Sequence, residues 1–261
     1  MTIEPSKAWE NGGTGSAAPF PRLRTAYLRA IARAWRDPSF LEQLVRKSKD
    51  DPYGVLPFLE KEYRFRFPFN VKFAISDDPR PQWRPNEMLG WLADGDEIDI
   101  TLPGPPALRK VRVHDDSLTT LADAIALYCQ WFPSMLGPPR DGVSQPPDDF
   151  AEFGVLTARL LAMMWGDEKF KEQLLGERDA RRLVQAAMGV IVHWNFNLKF
   201  SYLDWDEFWN DIDYQGQPEG TIPARVKITV NIPQNPPDDA VWPVALAAYN
   251  DTGPQYPFTC A

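Results

Sequence analysis

One segment of this chain occurs twice: Ala34-Trp35-Arg36-Asp37-Pro38-Ser39-Phe40-Leu41-Glu42-Gln43-Leu44 returns as Met164-Trp165-Gly166-Asp167-Glu168-Lys169-Phe170-Lys171-Glu172-Gln173-Leu174. The two tryptophans are 165 − 35 = 130 residues apart, and the Asp, Phe and Glu-Gln-Leu that follow keep this spacing. In both copies an aspartate after a Trp-ended helix can cap a second helix, whose apolar face starts at the Phe. The repeat predicts two tandem copies of one domain.

Around each copy, the spacing of hydrophobic residues changes in the same order, from helical spacing to the alternation of a strand. Leu28, Ile31 and Trp35 have helical spacing, and a third helical segment follows the motif. Apolar residues then alternate with polar ones, which predicts half-buried strands. These strands are predicted at 67–75 and 98–102 in the first copy, and at 194–202 and 226–232 in the second. A helix closes each copy, one predicted from a Ser117 cap and one from Asp239. Helices, strands and a helix in that order predict an α+β fold rather than a doubly wound α/β sheet.

Composition suggests where the domains begin and end. Residues 11–16 are small and polar, which predicts a disordered N-terminus over 1–20, and repeat 1 is predicted over 21–137. A segment rich in Pro, Gly and Asp, 138–150, is typical of a linker. Repeat 2 is predicted over 151–250, with a short flexible C-terminal tail at 251–261. We expect the two repeats to pack as a pseudo-symmetric pair.

Bulk properties exclude several classes of function. The net charge is −8 and no long basic run is present, which argues against nucleic-acid binding. No apolar run approaches the roughly 20 residues that span a bilayer, and the N-terminus does not resemble a signal peptide. Two cysteines in different settings do not make a disulfide scaffold. These features predict a cytoplasmic protein.

No catalytic or metal-binding constellation stands out. His114 beside Asp115 and His193 could act as bases, but no Ser or Cys lies in a nucleophile turn, and surface histidines are the commoner explanation. The cysteines and histidines lack zinc spacing, and phosphate-loop motifs are absent. The acidic run 204–213 lacks the ordered spacing of a calcium loop, so we interpret it as a solvated loop anchored by aromatic residues. We expect no metal, no cofactor and no enzymatic activity.

Tryptophans outside the clearest strand faces could form a sugar-binding surface, although packing in the core explains Trp more often. They are Trp83, Trp91, Trp205, Trp209 and Trp242.

The two cysteines are predicted to have different roles. Cys129 falls on the apolar face of its helix and is predicted to be an inert core thiol. Thr259 and Cys260 belong to the tail. Attack of the Cys260 thiol on the Thr259 carbonyl, with loss of water, would give a thiazoline. Attack of the Thr259 hydroxyl on the Phe258 carbonyl would give an oxazoline. Both reactions need an ATP-dependent enzyme.

The segment from Arg29 to Leu44 resembles the A-W-x-D-P-x-F-x-x-x-L segment of the nitrile hydratase α subunit and of the nitrile-hydratase-like leader peptides of ribosomally made natural products. The duplicated form with a Cys-bearing tail looks like tandem-repeat precursors of thiazole/oxazole-modified microcins. Nitrile hydratase needs a C-x-x-C-S-C metal cluster, whereas Cys129 and Cys260 each stand alone. The resemblance therefore implies a scaffold without hydratase activity.

What the resemblance implies is a folded leader that modifying enzymes, a cyclodehydratase or an oxidative tailoring enzyme, bind in order to act on Cys260 and Thr259. Its recognition motif would comprise the repeated residues Trp35, Asp37, Phe40, Leu44, Trp165, Asp167, Phe170 and Leu174. Two alternatives remain open: a binding or docking module with an incidental tail, and a carboxylate-based enzyme in the cleft between the repeats.

Overall fold

The computed structural model describes residues 19–51, 53–65, 67, 71–76, 81–85, 91–92, 96–107, 111–113, 116–118, 120–135, 148–189, 197–210 and 225–252. The elements of the first repeat are α1 (Pro19–Arg36), α2 (Pro38–Asp50), α3 (Val55–Tyr63), β1 (Lys72–Ser76), β2 (Gln82–Trp83), β3 (Trp91–Leu92), β4 (Glu97–Pro103), β5 (Val111–Val113), β6 (Asp116–Leu118) and α4 (Leu121–Met135). Those of the second are α5 (Asp148–Gly166), α6 (Glu168–Gly176), α7 (Arg181–Met188), β7 (Asn197–Leu203), α8 (Trp205–Asn210), β8 (Val226–Asn231), a 3₁₀ turn (Asp239–Val241) and α9 (Trp242–Thr252). The α+β prediction is confirmed.

The long strands of both repeats form a single sheet. Its order among the described residues is β1-β8-β4-β7, so strands of the first and second repeats alternate. The pairs β1·β8 and β4·β7 are parallel, and the central pair β4·β8 is antiparallel. Among the described residues, neither repeat pairs its own two long strands with each other, and each long strand pairs only with long strands of the other repeat.

The pairing registers obey an internal twofold relation. Phe73 of β1 lies opposite Ile228 of β8, and Phe200 of β7 lies opposite Ile100 of β4. These two pairs are equivalent, because 200 − 73 = 127 and 228 − 100 = 128. In the central pair, Ile98 faces Ile228 and Ile100 faces Val226, on either side of the facing residues Asp99 and Lys227. The predicted pseudo-symmetric packing is therefore present, and its axis passes between Asp99 and Lys227.

Alternation of apolar residues gives the sheet one buried face. Side chains at every second position are buried, including Phe73, Ile98, Ile100, Leu198, Phe200, Val226, Ile228 and Val230. Helices α2 and α3 pack against β1, α6 against β7 and α8 against β4. Most intervening strand residues are polar and at least partly exposed. This arrangement is a two-layer α+β fold with a polar outer sheet face.

The closing helices also cross between repeats. Helix α4 of the first repeat packs against α5 of the second, while α9 of the second packs against α1 of the first. Each half of the molecule is therefore built from the opening helices and first strand of one repeat, with the last strand and last helix of the other.

Several local predictions need correction. Ser117 belongs to β6 rather than capping a helix; Thr120 caps α4, because its hydroxyl accepts from the Asp123 N–H while Asp123 Oδ2 accepts from the Thr120 N–H. The acidic run predicted as a loop contains α8, whose first turn carries Asp206 and Glu207. Two further short strands that the alternation did not predict, β2 and β3, pair with each other.

Element ends differ slightly from the predicted domain limits. Helix α1 begins at Pro19, inside the predicted N-terminal segment, and α5 begins at Asp148, inside the predicted linker. Helix α9 extends to Thr252, two residues into the predicted tail.

Candidate functional site

The repeated motif forms a sharp junction between two helices in each repeat. Asp37 caps α2: its side chain accepts from the backbone N–H groups of Ser39 (3.1 Å) and Phe40 (3.3 Å), and Pro38 occupies the first turn, where its missing N–H costs nothing. Asp167 caps α6 in the same way, accepting from Lys169 (2.9 Å) and Phe170 (3.2 Å). Both predicted caps are confirmed.

The motif tryptophans connect the two repeats reciprocally. The Trp35 indole N–H donates to the carbonyl of Pro233 in the second repeat, at 2.8 Å. The Trp165 indole N–H donates to the carbonyl of Pro103 in the first repeat, at 3.0 Å. Both proline carbonyls lie at or just beyond the end of a central strand. The motif therefore fastens the helices of each repeat to the strand contributed by the other.

The apolar members of the motif belong mainly to the core. Phe40 and Phe170 are buried, and Leu44 and Leu174 are fully buried, as is nearly all of Trp35; Trp165 is partly buried. A partner protein cannot contact side chains at these depths while the fold is intact. A role of these residues in recognition would therefore act through the shape that they stabilise.

An aromatic cluster surrounds Trp35. The Trp35 ring stacks on Trp91 (6.1 Å between centroids) and meets Trp242 edge-on (5.8 Å), while Trp83 packs on Trp91 (5.3 Å). The indole N–H of Trp91 donates to the Ala245 carbonyl at 2.8 Å. Because these rings contact one another, the geometry favours packing over the sugar-binding alternative.

A buried polar network lies beside this cluster. Asp96, just before β4, accepts at Oδ1 from the Asn231 backbone N–H (2.6 Å) and side-chain amide (3.3 Å). The Tyr249 hydroxyl donates to Asp96 Oδ2 (3.4 Å), and the Tyr27 hydroxyl donates to the Asn231 carbonyl (3.1 Å). Burial raises the pKa of Asp96 to about 7, against the lowering effect of the Asn231 and Tyr249 hydrogen bonds.

A carboxyl group that titrates near neutrality could serve as a general acid or base. Asp96, however, is only 7% exposed, and both of its oxygens accept hydrogen bonds from residues of the second repeat. This arrangement suits a polar link between the repeats better than a group that meets a substrate.

The other half of the molecule has a buried polar group of different chemistry at the start of its central strand. Arg225 directly precedes β8, one residue after Ala224, which corresponds in sequence to Asp96. It is buried; its guanidinium donates to the Phe208 carbonyl and lies 4.7 Å from the Phe208 ring centroid. Trp205 packs against Trp165 there, with 6.1 Å between centroids. Burial raises the pKa of Tyr128, whose hydrogen bond with Thr157 has the opposite effect.

The predicted site residues are distributed unevenly. Cys129 is exposed on α4 instead of lying in the core, because the buried residues of that helix are Ala124, Leu127, Tyr128 and Phe132. Partial burial of its thiol nevertheless raises the pKa of Cys129. Thr259 and Cys260 lie outside the described residues, as do His114 and His193.

The described residues contain no group of three or more His, Cys, Asp or Glu side chains suited to holding a metal ion. No described helix is long and apolar enough to cross a membrane. Sequence reasoning missed the Asp96 and Arg225 sites. Their only signal was a charged residue immediately before an alternating strand, and their partners come from distant parts of the chain.

Comparison with known proteins gives one result. A family model described as "Ribosomal natural product, two-chain TOMM family" matches residues 19–130 and, a second time, residues 148–257. The two matches coincide with the two structural repeats. No curated protein and no solved structure matches the chain.

Proposed function

Because this chain belongs to the two-chain TOMM family of ribosomal natural products, we propose that it is a precursor whose folded repeats act as a leader and whose tail, 251–261, is the substrate of modifying enzymes. The observation that carries the proposal is the family match over both repeats, together with their assembly into one fold. The protein itself has no catalytic role in this proposal.

The leader would be recognised by the surface that the motif supports. Glu42 of α2 and Glu172 of α6 occupy equivalent positions, since 172 − 42 = 130, and both are exposed. The helices that precede these two, α1 and α5, are attached to strand ends of the opposite repeat by the hydrogen bonds of Trp35 and Trp165. The twofold relation therefore presents the same helical surface twice, so that one enzyme, or two copies of it, could contact either helix.

The chemistry proposed for the tail is cyclodehydration. An ATP-dependent enzyme would activate the Thr259 carbonyl, the Cys260 thiol would attack it, and loss of water would leave a thiazoline. The Thr259 hydroxyl could attack the Phe258 carbonyl in the same manner and give an oxazoline. Two-electron oxidation of either ring by a tailoring enzyme would give the aromatic azole.

The test is intact-mass analysis and C-terminal peptide sequencing of the protein produced with and without its neighbouring biosynthetic genes. We expect a loss of one water for each ring, mapped to Cys260 first and Thr259 second. C260A should abolish the first loss and T259V the second, while both variants keep the melting temperature of the parent protein.

Recognition is tested separately with surface variants. E42K/E172K should reduce modification of the tail without changing the melting temperature, whereas E172K alone should have a smaller effect because the α2 surface remains. An unmodified tail in the complete native background would overturn the precursor proposal and favour the alternative of a binding module.

A further inference from the structure

Each repeat has a gap of one strand between its own two long strands. In the first repeat β1 and β4 run antiparallel on either side of β8, and in the second β8 and β7 run antiparallel on either side of β4. Neighbouring strands are about 4.8 Å apart, so each gap is about 10 Å wide. The last long strand of one repeat fills the gap of the other.

In the folded chain the strands on both sides of each gap pair with strands of the other repeat. Residues Lys72–Ser76 of β1 pair with Lys227–Asn231 of β8, while β4 pairs along its whole length with β7. If one repeat were removed, the backbone groups on both sides of the remaining gap would lose their ladder partners beside an apolar sheet face. Buried backbone groups without hydrogen bonds are strongly unfavourable.

Charges across the centre of the sheet favour a pair of unlike repeats. One row across the four strands reads Lys72, Lys227, Asp99 and Lys199. By the twofold relation, two copies of the second repeat would align Lys199, Lys227, Lys227 and Lys199, an all-basic row. Two copies of the first would place Asp99 opposite Asp99. Only the mixed pair places an acid opposite a base at the axis.

The buried polar network also favours the pairing of a first repeat with a second repeat. Asp96 and Tyr27 come from the first repeat, whereas Asn231 and Tyr249 come from the second. The residue that corresponds to Asp96 in the second repeat is Ala224, since 224 − 96 = 128. A pair of second repeats would therefore lack the carboxylate that both Asn231 and Tyr249 contact.

We infer that each repeat is an incomplete subunit whose binding partner is the unlike repeat, so that this chain is an obligate strand-exchanged heterodimer joined covalently between α4 and α5. The interaction surface of each repeat is the gap between its two strands. The partner that fits this gap is a central strand of opposite charge at the axis, followed by a helix that docks on the opening helix.

The inference is tested by cutting the intact protein at the connection between its repeats. A protease sequence flanked by Gly-Ser spacers is inserted after residue 141, and the folded protein is cleaved. Both fragments should still elute together at the size of the whole chain. Melting should become dependent on protein concentration only after cleavage, because unfolding then releases two chains.

A matched control carries the same sequence appended after Ala261, where cleavage should change neither elution nor melting. The inference is wrong if the two fragments of the cut protein separate at micromolar concentration and each keeps a cooperative unfolding transition. Such behaviour would mean that the repeats are independent domains.

Charge variants of the cut protein test the pairing rule. D99K makes the central row entirely basic and should weaken association of the fragments by roughly tenfold. K227D should weaken it less, because each aspartate then has a lysine on its other side. The double exchange D99K/K227D should restore association. E172K, an equal change of charge outside the sheet, should leave it unchanged; equal effects of D99K and E172K would refute the pairing rule.

Discussion

The two halves of the molecule share one plan but differ in the chemistry at the motif tryptophan. Beside the aromatic cluster of Trp35 lies a network of neutral and acidic groups centred on Asp96, whereas in the Trp165 half a buried guanidinium, that of Arg225, lies against Phe208. Asp96 and Arg225 each lie directly before a central strand. The comparison shows that the two repeats share their backbone and tryptophan anchors, while their buried polar groups occupy different positions: Asp96 corresponds to Ala224, and Arg225 corresponds to Glu97.

The largest expected effect comes from removing the motif tryptophans. W35A should lower the free energy of unfolding by about 4 kcal/mol, because a buried ring that contacts two other tryptophans is lost. W165A should cost roughly half as much, since Trp165 is only partly buried. Urea unfolding followed by circular dichroism measures both. Equal losses would show that the two halves are energetically equivalent.

W35F should lose mainly the hydrogen bond to Pro233, about 1 kcal/mol.

The second effect is a dependence of stability on pH that belongs to the Asp96 half. In the folded protein the pKa of Asp96 is about 7, which exceeds that of an unfolded aspartate. The protonated carboxyl group of Asp96 therefore stabilises the fold fully below about pH 4, and this stabilisation declines until about pH 7. Between pH 5 and pH 8 this amounts to about 2–3 kcal/mol of lost stability.

D96N removes the titrating group and keeps one acceptor oxygen. Its free energy of unfolding should therefore change much less from pH 5 to pH 8 than that of the parent protein, as measured by urea unfolding at each pH. Parallel pH profiles for D96N and the parent would show that Asp96 does not titrate in this range.

The Arg225 half should respond to substitution without a dependence on pH. R225M keeps an apolar chain of similar length but leaves the Phe208 carbonyl without its donor, which should cost about 1–2 kcal/mol. Since the lost contact is a hydrogen bond to a backbone carbonyl, which does not titrate, the loss should be the same at pH 5 and pH 8. A loss that varies with pH would mean that the two halves are electrostatically coupled.

The smallest effect concerns the helix caps. D167A should cost about 1 kcal/mol, as expected for removal of an N-cap. D37A should cost more, because the Asp37 carboxylate also accepts from the Ser39 hydroxyl at 2.6 Å. That hydroxyl lowers the pKa of Asp37, so the contribution of this cap is present above the usual pKa of aspartate and is lost on acidification. A larger loss for D167A at neutral pH would contradict the comparison.

The sequence was sufficient where the information is local. Asp37 and Asp167 cap helices through residues two and three positions away, so a short motif predicts them. Helix α4 was harder: Asp123 is the only charged residue in it, so the pattern did not define which side is buried. The helical spacing predicts a buried Cys129, whereas the face that is buried includes its neighbour Tyr128.

The hydrophobic periodicity of the sequence does not predict that the two repeats exchange strands. Ile98–Leu102 and Val226–Val230 have the same alternation, which predicts which side chains are buried but not which strands are neighbours. The polar contacts depend on which strands are neighbours in the sheet. Asp96 bonds to Asn231, 135 residues later, and nothing in the sequence around either residue indicates the other.

The alternation of strands also has a consequence for the order of events during synthesis. Strand β1 ends at Ser76, yet its partner β8 is complete only at Asn231, 231 − 76 = 155 residues later. At about 5–20 residues per second, β1 waits roughly 8–30 s for the strand that pairs with it. The shared sheet forms only after Asn231 has left the ribosome, so a chain terminated before β8 never displays the finished scaffold.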